Sequence, residues 1–558
     1  MKLIRTMLPI INALPRTLKN KFYFLLILTV VSTFFEILIL SLLYPFINSF
    51  LDSSTGSTES NLLMNFFGIK FEDVPLFLGI IIVIGAIIKI TYVVSESRLS
   101  HKIGHNLGEK LFINTLNLDY FEHKQNNSSF FIALIVNKVN IVVYQGFLPI
   151  FRILNGLTLT LSVLVYLVFF QPILTTSIII GITLLYLLYV MFIKSTISKS
   201  SHIVNDNQNL IIKIIQDSLG SIKEILLSRS YKVFSKEFSK ASIEYKMAQS
   251  LLQIISNLPK LIIEPSVMLL FIISLYFFKN SIDLASFVVV FLGLIRVLPS
   301  FQVVYYNFQT FYNGLPSIIE FYNLLIKSPI NYDNNNDLLL DNFSKIEFKS
   351  IDYKIDEKEI ISDLNLELSS GQKIGIYGKS GSGKSTFIDL LMGLIDPVDG
   401  EIMIDGKTLD SKLKNSWFSK IGHVKQDVFL IDDTIKKNIA FGIEEELIDD
   451  DKVLKSLKLA GLDDMISDLE NGIESLVGEN GAFVSGGQRQ RMGLARLFYF
   501  DKNVIVLDEA TSALDYKTEA SILDKIYSLN EKYTIIMISH RIETLKRCDF
   551  LLEFPIKN

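Results

Sequence analysis

The chain has 558 residues, a net charge of −4 and 20% charged residues, yet 49% of it is hydrophobic and its mean hydropathy is +0.38. That length allows two or more domains of about 100 to 200 residues; the hydropathy argues against a wholly soluble protein, and a net charge this small gives no basic field for nucleic acid. The one cysteine, Cys548, cannot close an internal disulfide and fits a reduced compartment for the C-terminal half.

Lipid-grade apolar runs occur only before about residue 312. A membrane-spanning helix needs ~20 predominantly apolar residues, which predicts six spans, at 22–48, 75–97, 144–170, 173–193, 256–278 and 284–310. Ahead of the first stand Lys2, Arg5, Arg16, Lys19 and Lys21, and after it Asp52, Glu59, Glu72 and Asp73 against Lys70. The positive-inside tendency therefore puts the N-terminus in the cytoplasm. "MLPIINALPRTLKNKF" reads either as an amphipathic surface helix or as a frayed end. Residues 98–143 and 194–255 are long, polar and helical in period, so spans two to five continue beyond the membrane on the cytoplasmic side.

Ionisable groups inside spans are costly and mark candidate functional positions. Here they are Glu36, Lys89, Lys260, Glu264 and Arg296. Lys260 and Glu264 are four apart on one helix face and read as a local ion pair. Arg296 lies too deep to snorkel, about 20 Å into its span at 1.5 Å per residue. It reads as a cation facing a cavity, with a structural pair to a carboxylate such as Glu36 as the alternative.

The organisation that follows is a membrane domain over 1–326, an Asn- and Asp-rich linker over 327–344, and an α/β P-loop NTPase domain over 345–558. "KIGIYG" runs as a strand into "GKSGSGKST", which opens the helix "TFIDLLMGL". This is a phosphate-cradling loop of Gly378, Lys379, Ser380, Gly381, Ser382, Gly383, Lys384, Ser385 and Thr386. Its glycines free backbone N–H groups for phosphates, Lys384 reaches the β- and γ-phosphates, and the Ser385 hydroxyl serves Mg²⁺. A second strand, "NVIVLDEA", ends in Asp508, suited to the Mg²⁺ shell, and Glu509, suited to polarising an attacking water.

With "VSGGQRQR", "LDEATSALD" and "MISHR" in order after that loop, the chain resembles the ATP-binding cassette family, and six spans ahead of the cassette resemble its exporters of the type I kind. The resemblance implies ATP and Mg²⁺ as ligands. It makes Gln426 a sensor of Mg²⁺ and the γ-phosphate, and His540 a contact to that phosphate. Ser485, Gly486, Gly487 and Gln488 become a signature segment that closes on the ATP of a partner cassette, with Asp515 beside it. It thereby implies a homodimer, in a bacterial inner membrane with the cassette cytoplasmic. "GENG", from 478, stands where exporters touch their intracellular helices, near "LDYFEHKQNN" and "SLGSIKEIL". Tyr353 is the candidate to stack on adenine, one residue out of the usual spacing. Val484 and Lys425 replace a usual leucine and a common proline.

The first and last spans, the latter carrying "LIRVLPSFQVVYYNF", resemble the bacterial flippases of lipid-linked oligosaccharides. That implies a polyprenyl-pyrophosphate glycan as substrate, met by Arg296 and Lys89 with Glu36 nearby. "SNLLMNFFGI" would then be a short outer helix facing the polyprenyl tail, against a plain capped loop. Exporters of a lipid A type glycolipid, a hydrophobic peptide or a drug are the alternatives within the family. Outside it stand a cassette that gates rather than pumps, and a cassette ATPase with a membrane anchor.

Overall fold

The computed structural model describes residues 14–51, 73–125, 128–278, 284–326, 340, 343–355, 358–529 and 532–555. The chain ahead of Leu14, the segment "SNLLMNFFGI", the turn "KNSID" and nearly all of the 327–344 linker lie outside the described residues. The chain divides into two units, residues 1–116 with 126–329, and residues 117–125 with 330–558. The division differs from the sequence boundaries in one piece: residues 117–125 group with the cassette.

The first unit is helical. Its long members are α1 (Arg16–Leu51) and α2 (Val74–Leu116); α3 (Tyr120–Gln125) belongs to the second unit. Two π-helical stretches, Leu134–Lys138 and Val142–Phe147, then lead into α4 (Leu148–Phe170), followed by α5 (Pro172–Gly220), α6 (Ile222–Ser228), α7 (Tyr231–Phe278) and α8 (Leu284–Ile326). At 49 residues α5 is about 74 Å long, more than twice a ~30 Å hydrocarbon layer. Its polar C-terminal half therefore extends past any span, as the sequence period predicts. Pro172 sits in the first turn of α5, where its missing N–H costs nothing, and sets the tight connection from α4.

Among the described residues, five helices are long and apolar enough to cross a membrane, and the start of α5, Pro172–Leu185, forms a shorter apolar helix where the fourth span is expected. Large apolar side chains point outward along them, among them Leu76 (70% exposed), Phe169 (85%) and Phe192 (80%). An apolar outer surface this extensive suits lipid. Inside, α4 and α8 approach through glycines on both sides. A Cβ on Gly156 would lie 2.6 Å from Val304, and one on Gly293 would lie 2.8 Å from Leu167, the close packing that small residues permit where no hydrophobic effect drives helices together.

The second unit holds two sheets. An antiparallel sheet of order β2-β1-β4-β5 is built from β1 (Lys345–Ile355), β2 (Lys358–Ser369), β4 (Asp399–Ile404) and β5 (Lys407–Thr408). A five-stranded parallel sheet of order β6-β7-β8-β3-β9 is built from β3 (Lys373–Gly378), β6 (Ile421–Val424), β7 (Val504–Asp508), β8 (Thr534–Ile538) and β9 (Phe550–Phe554). "VIVL" in β7 and "TIIMI" in β8 are buried throughout, as continuous apolar strands covered on both faces should be. The helices that position the site are α9 (Lys384–Leu391) after β3, α10 (Ser411–Lys420) before β6, α11 (Gly486–Phe500) before β7 and α12 (Tyr516–Tyr527) between β7 and β8. Trp417 of α10 is fully buried, and its indole N–H donates to the Leu391 carbonyl at 2.9 Å.

Candidate nucleotide site

In a parallel sheet, ligands gather at the carboxyl ends of the strands. Three neighbouring strands, β7, β8 and β3, end here in the three predicted motifs: Asp508 closes β7, His540 follows β8, and the phosphate loop follows β3.

Gly378, Gly381 and Gly383 have φ of 147°, 75° and 100°, values at which a side chain would be strained. A Cβ on Gly378 would lie 2.1 Å from the Phe554 carbonyl oxygen, so glycine is required there for space as well. A Cβ on Gly381 would meet nothing, so that part of the loop faces open space. Lys384 is buried and donates to the carbonyls of Gly378 and Lys379, both at 2.8 Å, bracing the loop. The Ser382 hydroxyl is buried and, among the described residues, has no hydrogen-bond partner. A buried orphan hydroxyl inside a nest of amides fits an anion such as a phosphate chain. Lys379, Ser380 and Ser385 are exposed, and Thr386 is partly so.

Burial, then the neighbouring charges of Glu509 and Asp389, raise the Asp508 carboxyl above its usual range. A cation placed there would relieve this. Among the described residues no cluster of three His, Cys, Asp or Glu could hold a metal alone. Such sparse protein ligands suit Mg²⁺, which keeps waters and shares phosphates with one or two carboxylates. The Ser385 hydroxyl, Asp508 and the exposed amide of Gln426 are the groups that would hold it.

Glu509 follows Asp508 with φ of 51°, an uncommon value for a residue with a side chain. Its N–H donates to the Ile538 carbonyl at 3.1 Å, which ties it to β8. That turn brings its Oε1 to 2.9 Å from His540 Nε2, so the two residues picked from separate motifs are in contact. Ser485 caps α11: its hydroxyl accepts from Gln488 N at 3.2 Å, and Gln488 Oε1 accepts from Ser485 N at 2.7 Å. The segment's polar side chains thus satisfy one another, while a Cβ on Gly486 would meet open space. Asp515 caps α12 in the same way, accepting from Thr518 N at 3.0 Å.

Tyr353 is a correction. It is 7% exposed and belongs to the cassette core with Phe348 and Phe387, so its ring lacks a free face for adenine. The exposed apolar residue of that strand end is Ile355, 41% exposed and paired with Lys358.

Gln490 was not singled out by its sequence context, yet it is buried at the centre of the site. Its amide donates to the Gln426 carbonyl and the Ser512 hydroxyl, both at 3.1 Å, and accepts from Ala513 N at 2.9 Å. One side chain thus ties α11 to the segments around Gln426 and after Glu509. Around α3, Lys124 pairs with Asp389 of α9 at 3.7 Å, Tyr120 packs on the cassette core, and Lys425 Nζ lies 5.9 Å from the Tyr120 ring. Lys425, the unexplained departure beside Gln426, thereby gains a contact.

In the helical unit, Arg296 is a second correction. Its guanidinium pairs with one oxygen of Glu36, and Lys89 pairs with the other. Glu36 is buried, so the alternative of a structural pair holds. Glu264 likewise accepts from Gln302 Nε2 at 3.0 Å, in place of the expected partner Lys260. Two further buried networks have no local sequence signal: Glu96 with Arg152 at 2.8 Å, and Lys138 with Glu320 (2.9 Å), Asn205 (3.0 Å) and Ser317 (3.3 Å).

Residues 361–512 match the ABC transporter family. The leukotoxin translocation ATP-binding protein LktB of a Pasteurella haemolytica-like species is 40% identical over 210 residues, 38% of this chain and 29% of that protein. The leukotoxin export ATP-binding protein LtxB of Aggregatibacter actinomycetemcomitans is 39% identical over 213 residues, again 38% and 29%. The match thus spans under a third of the length of these relatives. A bacterial Atm1-family ABC exporter solved with ATP bound superposes with a TM-score of 0.79 at 22% identity, over 96% of this chain and 93% of that one. The second unit is therefore an ABC transporter ATPase domain, a domain that uses ATP with Mg²⁺. Joined to the helical unit, it gives the chain the fold of an ABC exporter half-transporter.

Proposed function

We propose that the chain is one half of a homodimeric, ATP-driven exporter in a bacterial inner membrane, with its cassette and N-terminus in the cytoplasm. The observation that carries this is the union, in one chain, of an ATPase cassette with a helical unit of the exporter fold. Glu509 polarises the attacking water, His540 steadies it and the γ-phosphate, and Lys384 with the loop amides takes up phosphate charge. Ser385, Asp508 and Gln426 would hold Mg²⁺, which would supply charge neutralisation at the phosphates. Ser485, Gly486, Gly487 and Gln488 stand at a helix start whose Ser485 and Gly486 are exposed, with open space over Gly486, a surface suited to the phosphates of ATP on a second copy. Two copies give two complete sites, with Asp515 of each at the seam. The reading fails if active, purified protein has the mass of one chain.

The transported substrate we favour is a lipid-linked oligosaccharide. Lys89 and Arg296 against the single carboxylate of Glu36 leave one net positive charge among apolar helices, and a pyrophosphate would compete with Glu36 for both cations. Resemblance of the first and last spans to the flippases points the same way. Export of a protein is the second reading, supported by the names of the leukotoxin relatives, whose similarity is confined to the cassette. Vesicle assays with a polyprenyl-pyrophosphate glycan, a lipid A type glycolipid and an unfolded polypeptide, side by side, separate these. Movement of the glycan alone is the expected result, and indifference of that movement to Arg296→Ala would sink the pyrophosphate role.

A further inference from the structure

Among the described residues of the cassette, Glu519 is the only buried carboxylate, and no motif accounts for it. It lies in the first turn of α12, where a negative charge is favoured by the helix dipole. Both its oxygens are used. Oε1 accepts from the Thr511 hydroxyl at 2.8 Å, and Oε2 accepts from Arg541 Nη1 at 2.5 Å.

The two partners stand beside the hydrolytic pair. Thr511 is two residues after Glu509, itself buried and in the turn that leaves β7. Arg541 is the residue after His540, in the turn that leaves β8. These strands are parallel neighbours, Asp508 opposite Ile538, so the ladder sets the strand ends but stops before either loop. Beyond that point Glu509 is held by its bond to the Ile538 carbonyl, and its own carbonyl accepts from Ser512 N at 3.1 Å. The Glu509 backbone occupies an unfavourable φ of 51°, which persists only where surrounding contacts fix it.

We propose that Glu519 is a positioning residue for hydrolysis, its carboxylate clasping the Thr511 and Arg541 loops so that Glu509 and His540 stay in contact. An ion pair with one buried and one half-exposed partner is a poor source of stability, since desolvation on one side and solvent screening on the other offset the attraction. Its directionality is another matter: it fixes two loops against one helix by hydrogen bonds at both oxygens. Misplacement of a reacting group by about 1 Å costs on the order of a hundredfold in rate. None of the phosphate-loop residues on β3 and α9 hydrogen-bonds to Glu519 among the described residues, so nucleotide affinity is not tied to the clasp.

This inference rests on Glu509 and His540 being the hydrolytic pair, and its test separates the two ideas. In the full-length protein in nanodiscs, steady-state ATPase kcat and KM and the melting temperature are measured for Thr511→Val, Glu519→Gln, the double variant and Glu509→Gln. Thr511→Val removes one clasp hydroxyl without changing shape, and Glu519→Gln removes the charge that holds Arg541 and sets an amide N–H where one carboxylate oxygen accepted. Each is expected to lower kcat about tenfold with KM for ATP within twofold, well below the melting temperature. The double variant should fall short of the product of the two, because either change opens the same clasp. A kcat for Thr511→Val within twofold of the parent, while Glu509→Gln is inactive, overturns the proposal and leaves the hydrolytic pair standing. Losses confined to melting temperature, or to KM, also overturn it. An active Glu509→Gln overturns the pair itself. Should Glu519→Gln fail to fold, Thr511→Val alone decides.

Discussion

In the cassette, Asp508 and Glu509 sit at the end of one strand, next to each other in sequence. In the helical unit the buried carboxylates Glu36 and Glu96 lie in the middle of long helices, each answered by a cation from another helix. Glu36 and Arg296 are 260 residues apart. The cassette gathers carboxylates at its strand ends, where burial, then the charges of Glu509 and Asp389, raise the Asp508 carboxyl above its usual range. The helical unit pairs its buried carboxylates with cations from other helices, since an unpaired ion away from water is far more costly. A motif can be read when chemistry demands neighbours on one strand; a pairing between distant helices demands only that some partner exist.

The contrast is broken most sharply by replacing one charge in each unit. Glu509→Gln should lower ATPase turnover by roughly 10² to 10⁴-fold, the scale of a lost general base, with the melting temperature unchanged or higher. A turnover within tenfold of the parent would remove Glu509 from the chemistry.

His423, three residues before Gln426 on β6, sharpens the cassette side. Burial, then Lys425, lowers its pKa to about 4, and its Nε2 has no hydrogen-bond partner among the described residues. The folded state therefore excludes a proton that the unfolded chain takes up near pH 6.5, so its contribution is present above about pH 6.5 and lost as pH falls toward 4. At about 1.4 kcal/mol per pH unit this reaches about 3 kcal/mol. Trp417, the one tryptophan, is buried in the cassette, so its fluorescence follows this unit alone. Urea midpoints so measured should fall more steeply with acid in the parent than in His423→Gln. Parallel curves would assign the acid sensitivity to other groups.

On the helical side, Glu36→Gln leaves Lys89 and Arg296 without their shared anion. A loss of about 2 kcal/mol is expected, below the full cost of an orphaned buried ion because both cations are partly exposed. It should appear in detergent unfolding followed by helical dichroism, and the Trp417 signal should stay at its parental midpoint. A neutral result would mean that water or lipid headgroups already solvate both cations. The smallest effect belongs to Ser485→Ala, which removes the α11 cap and costs about 1 kcal/mol. Its stability loss should show by Trp417 fluorescence, and a greater loss in ATPase activity than stability explains would support the reading of this segment as an ATP contact.

The cassette was legible because its chemistry is local. Phosphate binding needs glycines at positive φ beside a lysine, and Mg²⁺ needs a carboxylate at a strand end, so strand, turn and helix signals surround the residues that matter. Tyr353 was misread because aromatic character does not say which face of a strand is covered; the β1 register buries it and leaves Ile355 outside. Gln490 and Glu519 were invisible because a single glutamine or glutamate on a helix carries no local signal of burial.

The sequence by itself determined two architectures end to end, the extension of long helices beyond the apolar spans, the phosphate loop, and the motifs that carry Glu509 and His540, since hydrophobic period and ligand chemistry act over neighbouring residues. The tertiary structure alone decided that Glu36 pairs with both Lys89 and Arg296, that residues 117–125 group with the cassette, and that Glu519 bonds to residues of the loops of Glu509 and His540. Each of these turns on which distant side chains meet in a low-dielectric interior, where partner and distance set the energy.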